Sequence, residues 1–256
     1  MDTSPFLDEE RTKMYQSLIG ALQWIITIGR FDVFSAVTTM SSFWAAPREG
    51  HLERIKRIYS YLHKMSDGKI RVRVEEPDYS GLPNFEFDWS RTVYANLMHD
   101  LVTGRSLTGI LHLLNKTPID WYSKKQATVE TATYGSEMVA MRKCVEQVVD
   151  LRNTLRYLGG PIRDKSYIFG DNESVINSSA QLHAKLHKRH NMLSFHYVRE
   201  AIATGFLHLT HIPGKINPAD MLSKHWGYSD IKDILKALLF HRGDTAEMGQ
   251  NTTTSR

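Results

Sequence analysis

The sequence predicts an α/β fold, a mixed sheet flanked by helices and preceded by a small helical region. Three observations carry that reading. Residues 10–65 hold apolar side chains at helical spacing. From about residue 92, short strand-like runs alternate with helical stretches. Between these parts, residues 77–92 are rich in Pro, Gly, Asp and Ser, the composition of a linker. The expected spans are a helical region over 1–65, a strand and linker over 66–92, the α/β domain over 93–240, and a disordered tail over 241–256.

Each element has its own signal. "YQSLIGALQWIITIG" is apolar all round and reads as a core helix, and "FDVFSAVTTMSSFW" as a second helix ended by Ala45-Ala46-Pro47. "REGHLERIKRIYSYLHKM" sets Leu52, Ile55, Ile58, Tyr59 and Leu62 on one stripe, an amphipathic helix. "KIRVRVEEP" alternates Ile70, Val72 and Val74 with arginines, a half-exposed strand. "RSLTGILHLL" and "TPIDWYSKK" form a hairpin through Asn115-Lys116, with Trp121 expected in the core. A long helix follows to Gly159-Gly160 and Pro161. Next come a strand over 165–170, a short helix from Glu173, a helix in "HKRHNMLSFHYVREAIATG", a strand in "FLHLTHI", and a closing helix from "NPADML" to Phe240.

Composition narrows the classes. A chain of 256 residues, 41% hydrophobic and 23% charged, suits one large or two small globular domains. Lys and Arg number 32 against 28 Asp and Glu, with a pI near 9.0, which permits a nucleic-acid partner without requiring one. Cys144 is the only cysteine, so an internal disulfide is excluded and a reducing compartment is expected. The acidic, polar start argues against a secretory signal, and "LIGALQWIITIG" is about half a membrane span. A soluble intracellular protein, cytoplasmic or nuclear, is expected.

Three acids stand out. Met141, Cys144, Val145 and Val148 fall four, seven, eight and eleven places after Glu137, so Glu137 lies on the apolar stripe of the long helix. An ionised carboxylate there costs roughly 3–5 kcal/mol without a partner, unless the helix end leaves it in solvent. Asp171 ends "SYIFGD" at a strand tip, where it could equally cap the next helix. Asp220 sits third in "NPADML", behind a capping Asn217 and Pro218, where an acid suits the helix dipole. Singly, each has an ordinary explanation. Together, a helix acid, a strand-tip acid and an acid opening the last helix can meet at one end of a mixed sheet. Clustered carboxylates need hard cations, and oxygen-only sites suit Mg2+ or Mn2+. Two such ions about 4 Å apart can activate a water against a phosphodiester.

"DWYSKKQATVETATYGSEMVAM", "FGDNESV", "HKRHNMLSFHYVREAI" and "NPADMLSKH" closely resemble, in order and spacing, the ribonuclease H domain of copia-type retrotransposon polyproteins, the algal and diatom elements most of all. The text from "YQSLIGALQWI" through "HLERIKRIYSYLH" resembles the last helical, thumb-like part of the reverse transcriptase that precedes it. The match covers roughly residues 14–228, interrupted over 66–100, and the chain is read as a fragment or decayed copy of the polyprotein. The resemblance implies a ribonuclease H-like mixed sheet and hydrolysis of the RNA strand of an RNA–DNA hybrid with two divalent ions, Mg2+ or Mn2+. Glu137, Asp171 and Asp220 match three of the family's four catalytic, metal-holding acids.

The first acid does not match. In "SRTVYANLMHDLVTGRSLTG", Tyr94 stands in its place. The flanking text reads as though a longer segment had been lost with the first strand of the sheet. Asp88, Glu86 and Asp100 lack the right flanks. A phenol titrates near pH ~10 and is a poor magnesium ligand at neutral pH. Weakened or absent hydrolysis is therefore expected, and a non-catalytic nucleic-acid-binding remnant is the alternative. No Tyr-x-Asp-Asp pair occurs, so no polymerase activity is expected.

The basic side chains expected on phosphates are Lys124, Lys125, Lys185, Lys188 and Arg189. His183, His187 and His190 have a spacing zinc could use, but the intervening cations oppose it. An integrase-like enzyme would need a different spacing of acids. The partners expected are an RNA–DNA hybrid or other nucleic acid and the rest of the polyprotein, with no membrane.

Overall fold

The computed structural model describes residues 2–72, 93–99, 106–114, 116–127, 133–160, 162, 165–181, 183–184 and 191–240. They form two compact units, Met1–Arg71 with His225–Arg256, and Val72–Lys224.

The first unit is mostly helical. Helix α1 (Glu9–Thr27) starts where the Asp8 side chain accepts a hydrogen bond from the Arg11 amide at 2.8 Å. It buries Tyr15, Ile19, Leu22 and Ile26, one side only; Met14 and Trp24 are exposed, so α1 is not the all-round core helix its composition suggests. Helices α2 (Phe34–Ser41) and α3 (Glu49–Lys64) complete the expected trio. In α3, Leu52, Ile55 and Leu62 are buried and Ile58 and Tyr59 half-buried, as the stripe requires. The Arg30 guanidinium pairs with Asp32 at 2.8 Å, and the Tyr61 hydroxyl donates to the same carboxylate.

Among the described residues, "KIRVRVEEP" contributes only β1 (Lys69–Ile70); residues 73–92 lie outside them.

The second unit holds a five-stranded sheet. Its strands are β2 (Val93–His99), β3 (Ser106–Leu114), β4 (Thr117–Lys125), β5 (Ser166–Gly170) and β6 (Leu207–His211), in spatial order β4-β3-β2-β5-β6. β2 runs antiparallel to β3 and parallel to β5; β3 and β4 form the expected hairpin, turning at Lys116 with φ 63°. The sheet is therefore mixed, as expected. The central strand read as lost is present. Residues 93–99, directly across the interrupted text, hydrogen-bond to strands on both sides, because a strand needs only extended backbone in register with its neighbours, not the family's side chains.

Helices α4 (Thr133–Tyr157), α5 (Glu173–Ala180) and α6 (Met192–Ala203) pack on one face. Met138, Met141, Val145, Val175, Phe195 and Val198 meet Ile110, Ile168 and Leu209 there. Trp121 is half-buried rather than core, since β4 is an edge strand; its neighbour Tyr122 points the other way and packs on this cluster. The short helix α7 (Asp220–Ser223) lies against β3, where a Cβ at Gly109 would stand 2.9 Å from the Ala219 carbonyl oxygen and 3.1 Å from Leu222 Cβ. Glycine permits that close approach.

The expected closing helix is two. α7 ends at Ser223, and α8 (Tyr228–Leu238) begins after Gly227, whose extended backbone breaks the run. Residues 225–240, assigned from sequence to the 93–240 domain, group with the first unit. There β7 (Leu239–Phe240) pairs antiparallel with β1. Trp226, Ile231 and Leu235 line a hollow of about 270 Å³ with Val33, Ile58 and Tyr61. The expected tail, 241–256, lies outside the described residues.

Candidate functional site

Three elements deliver the expected acids. Glu137 comes from the second turn of α4, on the side that also buries Met141 and Cys144, and it is only 8% exposed. Asp171 follows the last residue of β5, with its side chain 17% exposed. Asp220 opens α7 and is 3% exposed.

The ordinary explanations fall away. The cap of α5 is Asn172, whose side chain accepts from the Val175 amide at 3.2 Å, so Asp171 is not that cap. α7 is a single buried turn, and Asp220 is sequestered instead of lying on a solvated first turn. Asp171 Oδ1 and Asp220 Oδ1 are both buried without a hydrogen-bond partner. Such oxygens normally find a partner, so two of them beside one lysine are atoms that could accept a cation.

One lysine ties the group together. Lys224 Nζ lies 2.9 Å from Asp220 Oδ2 and 3.9 Å from Asp171 Oδ2. Burial pushes the Glu137 carboxyl up to about 8, with Asp171 raising it further, Lys224 opposing, and Asp220 adding a smaller rise. Burial likewise lifts Asp220 to about 6, against the hydrogen bond and charge of Lys224. The three acids thus share one electrostatic neighbourhood. Lys224 went unnoticed in the sequence, although its place four residues after Asp220 put both on one side of a turn.

The surroundings fix the cluster. A buried network anchors the start of α4: Gln126 Nε2 donates to Thr108 Oγ1 and to the Ser136 carbonyl, each at 2.9 Å, and Ser106 Oγ donates to Ser136 Oγ at 3.0 Å. Ser136 directly precedes Glu137. Ser123 Oγ donates to the Leu222 carbonyl at 2.6 Å, tying α7 to β4. His211, at the end of β6, places Nε2 3.2 Å from the Asp171 carbonyl oxygen. These polar residues carried no spacing signal in the sequence, because their partners lie on other elements.

The donor set suits a hard divalent cation: oxygen-only, partly buried, with two unsatisfied carboxylate oxygens. Among the described residues, no three His, Cys, Asp or Glu side chains stand close enough as placed to hold a metal ion. The positive charge touching the carboxylates here is the Lys224 ammonium.

The remaining candidates divide. Tyr94 lies in β2, in register with Phe169 on β5 and one step before the pairing of Ala95 with Gly170. Its backbone therefore stands beside the strand end that carries Asp171. Lys124 is exposed and Lys125 half-buried at the end of β4. Lys185, Lys188, Arg189, His187, His190, Glu86, Asp88 and Asp100 lie outside the described residues; His183 is exposed. No described helix is long and apolar enough to cross a membrane.

The chain is similar to retrovirus-related Pol polyproteins of plant transposons. It is 27% identical over 225 residues to the Pol polyprotein from transposon TNT 1-94 of Nicotiana tabacum, covering 86% of this chain and 16% of that protein. To the Pol polyprotein from transposon RE1 of Arabidopsis thaliana it is 26% identical over 212 residues, 82% of this chain and 14% of that protein. The chain thus spans about a sixth of the length of these curated relatives. No protein-family model matches it. Among solved structures, LC11-RNase H1 in complex with RNA/DNA hybrid superposes with a TM-score of 0.42 and 15% identity, over 52% of this chain and 92% of that one.

Proposed function

We propose that this chain is the ribonuclease H-like part, with a preceding thumb-like segment, of a copia-type retrotransposon polyprotein of the algal kind, and that it engages RNA–DNA hybrids. The observation that supports the reading is the pair of carboxylates at the end of β5, Asp171 and Asp220, that share Lys224, with Glu137 buried within their electrostatic influence. The similarity to Pol polyproteins across most of the chain supports it. The 93–240 span is the proposed hybrid-binding domain, its last residues, from 225, completing the helical unit.

Glu137, Asp171 and Asp220 would hold divalent ions, Mg2+ or Mn2+. When bound, such ions activate a water and stabilise the leaving oxygen of a phosphodiester. The protein's own share is placement. The Gln126 network fixes the helix turn before Glu137, and the Ser123 bond fixes the helix that carries Asp220. Lys124 and Lys125, with Lys185, Lys188 and Arg189, would meet phosphates, so hybrid affinity should fall steeply with salt.

Tyr94, in register with Phe169 two residues before Asp171, favours a second reading. With a phenol where the family has its first aspartate, the domain binds hybrid and turns it over feebly or not at all. The test is a metal titration and a cleavage assay on the same preparations. Mn2+ should bind wild type, and Asp171→Asn should weaken it at least tenfold, about 1.4 kcal/mol. Equal Mn2+ binding by wild type and Asp171→Asn would remove the metal-site reading. Robust hybrid cleavage abolished by Asp171→Asn would show that the missing first acid is compensated, and would retire the remnant reading.

A further inference from the structure

Lys224 marks the acid cluster in the reading above but has no chemical task there, although it makes the closest contacts to the carboxylates. Its ammonium is 2.9 Å from Asp220 Oδ2 and 3.9 Å from Asp171 Oδ2, and its side chain is one-third exposed. The carboxylates it touches each keep a second oxygen buried and without a partner. One monovalent cation therefore serves two carboxylates, hydrogen-bonding Asp220 Oδ2 and only ion-pairing with Asp171 Oδ2. The tether is local. Lys224 directly follows α7, and its amide donates to the Asp220 carbonyl at 2.7 Å, so its Cα is held while a long flexible stem carries the charge.

We infer that Lys224 is a built-in counter-cation of the acid cluster, holding Asp171 and Asp220 together when no divalent ion is bound and competing with such an ion for the same oxygens. The inference rests on the metal-binding reading of the site and adds a positioning residue to it. Partial exposure gives the ammonium a way out: its stem can turn toward solvent while the carboxylates stay anchored by α7 and β5. A divalent ion brings twice the charge and can reach the oxygens that Lys224 leaves unsatisfied. Entry of the ion then releases the ammonium, which becomes available to a phosphate of bound nucleic acid.

The test uses the full chain in three forms, wild type, Lys224→Met and Lys224→Gln, the glutamine keeping a hydrogen bond to Asp220 without the charge. Mn2+ binding is measured by calorimetry and thermal unfolding is followed in EDTA and in saturating Mn2+. Both variants should bind Mn2+ about tenfold more tightly than wild type, the loss of one competing ion pair. Both should melt lower than wild type in EDTA, with the gap closing in Mn2+. If Lys224→Met does not fold, Lys224→Gln alone decides. Unchanged or weaker Mn2+ binding by a folded variant, with wild type still binding, overturns the counter-cation and leaves the metal site standing. Absence of Mn2+ binding in every form overturns both.

Discussion

Glu137 should make the metal-free protein less stable as pH rises, and Glu137→Gln should remove that loss. The carboxyl is 8% exposed and lifted from 4.5 to about 8, by burial first and by Asp171 next. The unfolded chain ionises this group near 4.5, whereas the folded chain keeps the proton until about 8. Between those values the folded state holds more protons, so stability falls with rising pH. At about 1.4 kcal/mol per unit, the group costs about 1 kcal/mol at pH 5 and about 3 kcal/mol at pH 7. Glutamine matches the neutral acid in size and carries no such cost. Glu137→Gln should therefore gain about 2 kcal/mol on wild type between pH 5 and pH 7, or roughly 4–8 °C in melting temperature for a unit of this size. The assay is thermal unfolding in EDTA at several pH values, reading the difference between the two proteins so that other titrating groups cancel. A difference that stays flat with pH, or a variant less stable than wild type at pH 7, would refute the buried, crowded placement of this carboxyl.

Other perturbations report on other parts of the fold. His112 is buried on β3 with Nε2 3.1 Å from Gln147 Oε1, and burial lowers its pKa from 6.5 despite Gln147 and Asp120. The unfolded state takes the proton first, so stability should decline as pH falls through 6.5; His112→Gln should flatten that acid limb in urea titrations. Gly109→Ala would press a methyl against the Ala219 carbonyl, and should lower stability by about 1–3 kcal/mol with weaker Mn2+ binding as α7 shifts. Gln126→Ala strands Thr108 and the Ser136 carbonyl, and should cost about 1–3 kcal/mol in chemical denaturation.

The sequence revealed what periodicity can encode. The helices of residues 9–64, the hairpin through Lys116 and the strand ending at Gly170 have local signals strong enough to survive folding unchanged. Glu137 was legible as well, because a carboxylate on an apolar stripe is a visible contradiction. Hidden were features set by contacts distant along the chain. Residues 93–99 become the central strand through partners on both sides, whatever their departure from a familiar text. Trp121 is only half-buried because β4 is an edge, which sequence order does not state. Gln126 and Ser136 read as ordinary polar residues until a strand and a helix bring them together. Lys224 was the nearest miss, its spacing from Asp220 being visible where its second contact, to Asp171, was not.

The pairing of β7 with β1 has a bearing on how the polypeptide is made. The helices at the start leave the ribosome first, but the apolar residues that close their unit, Ile231, Leu235, Leu238 and Leu239, arrive last. The five-stranded sheet is synthesised in between. Nascent chains stalled near residue 224 should therefore expose an unfinished helical surface to chaperones, and that unit's closure must wait until the intervening residues have been made.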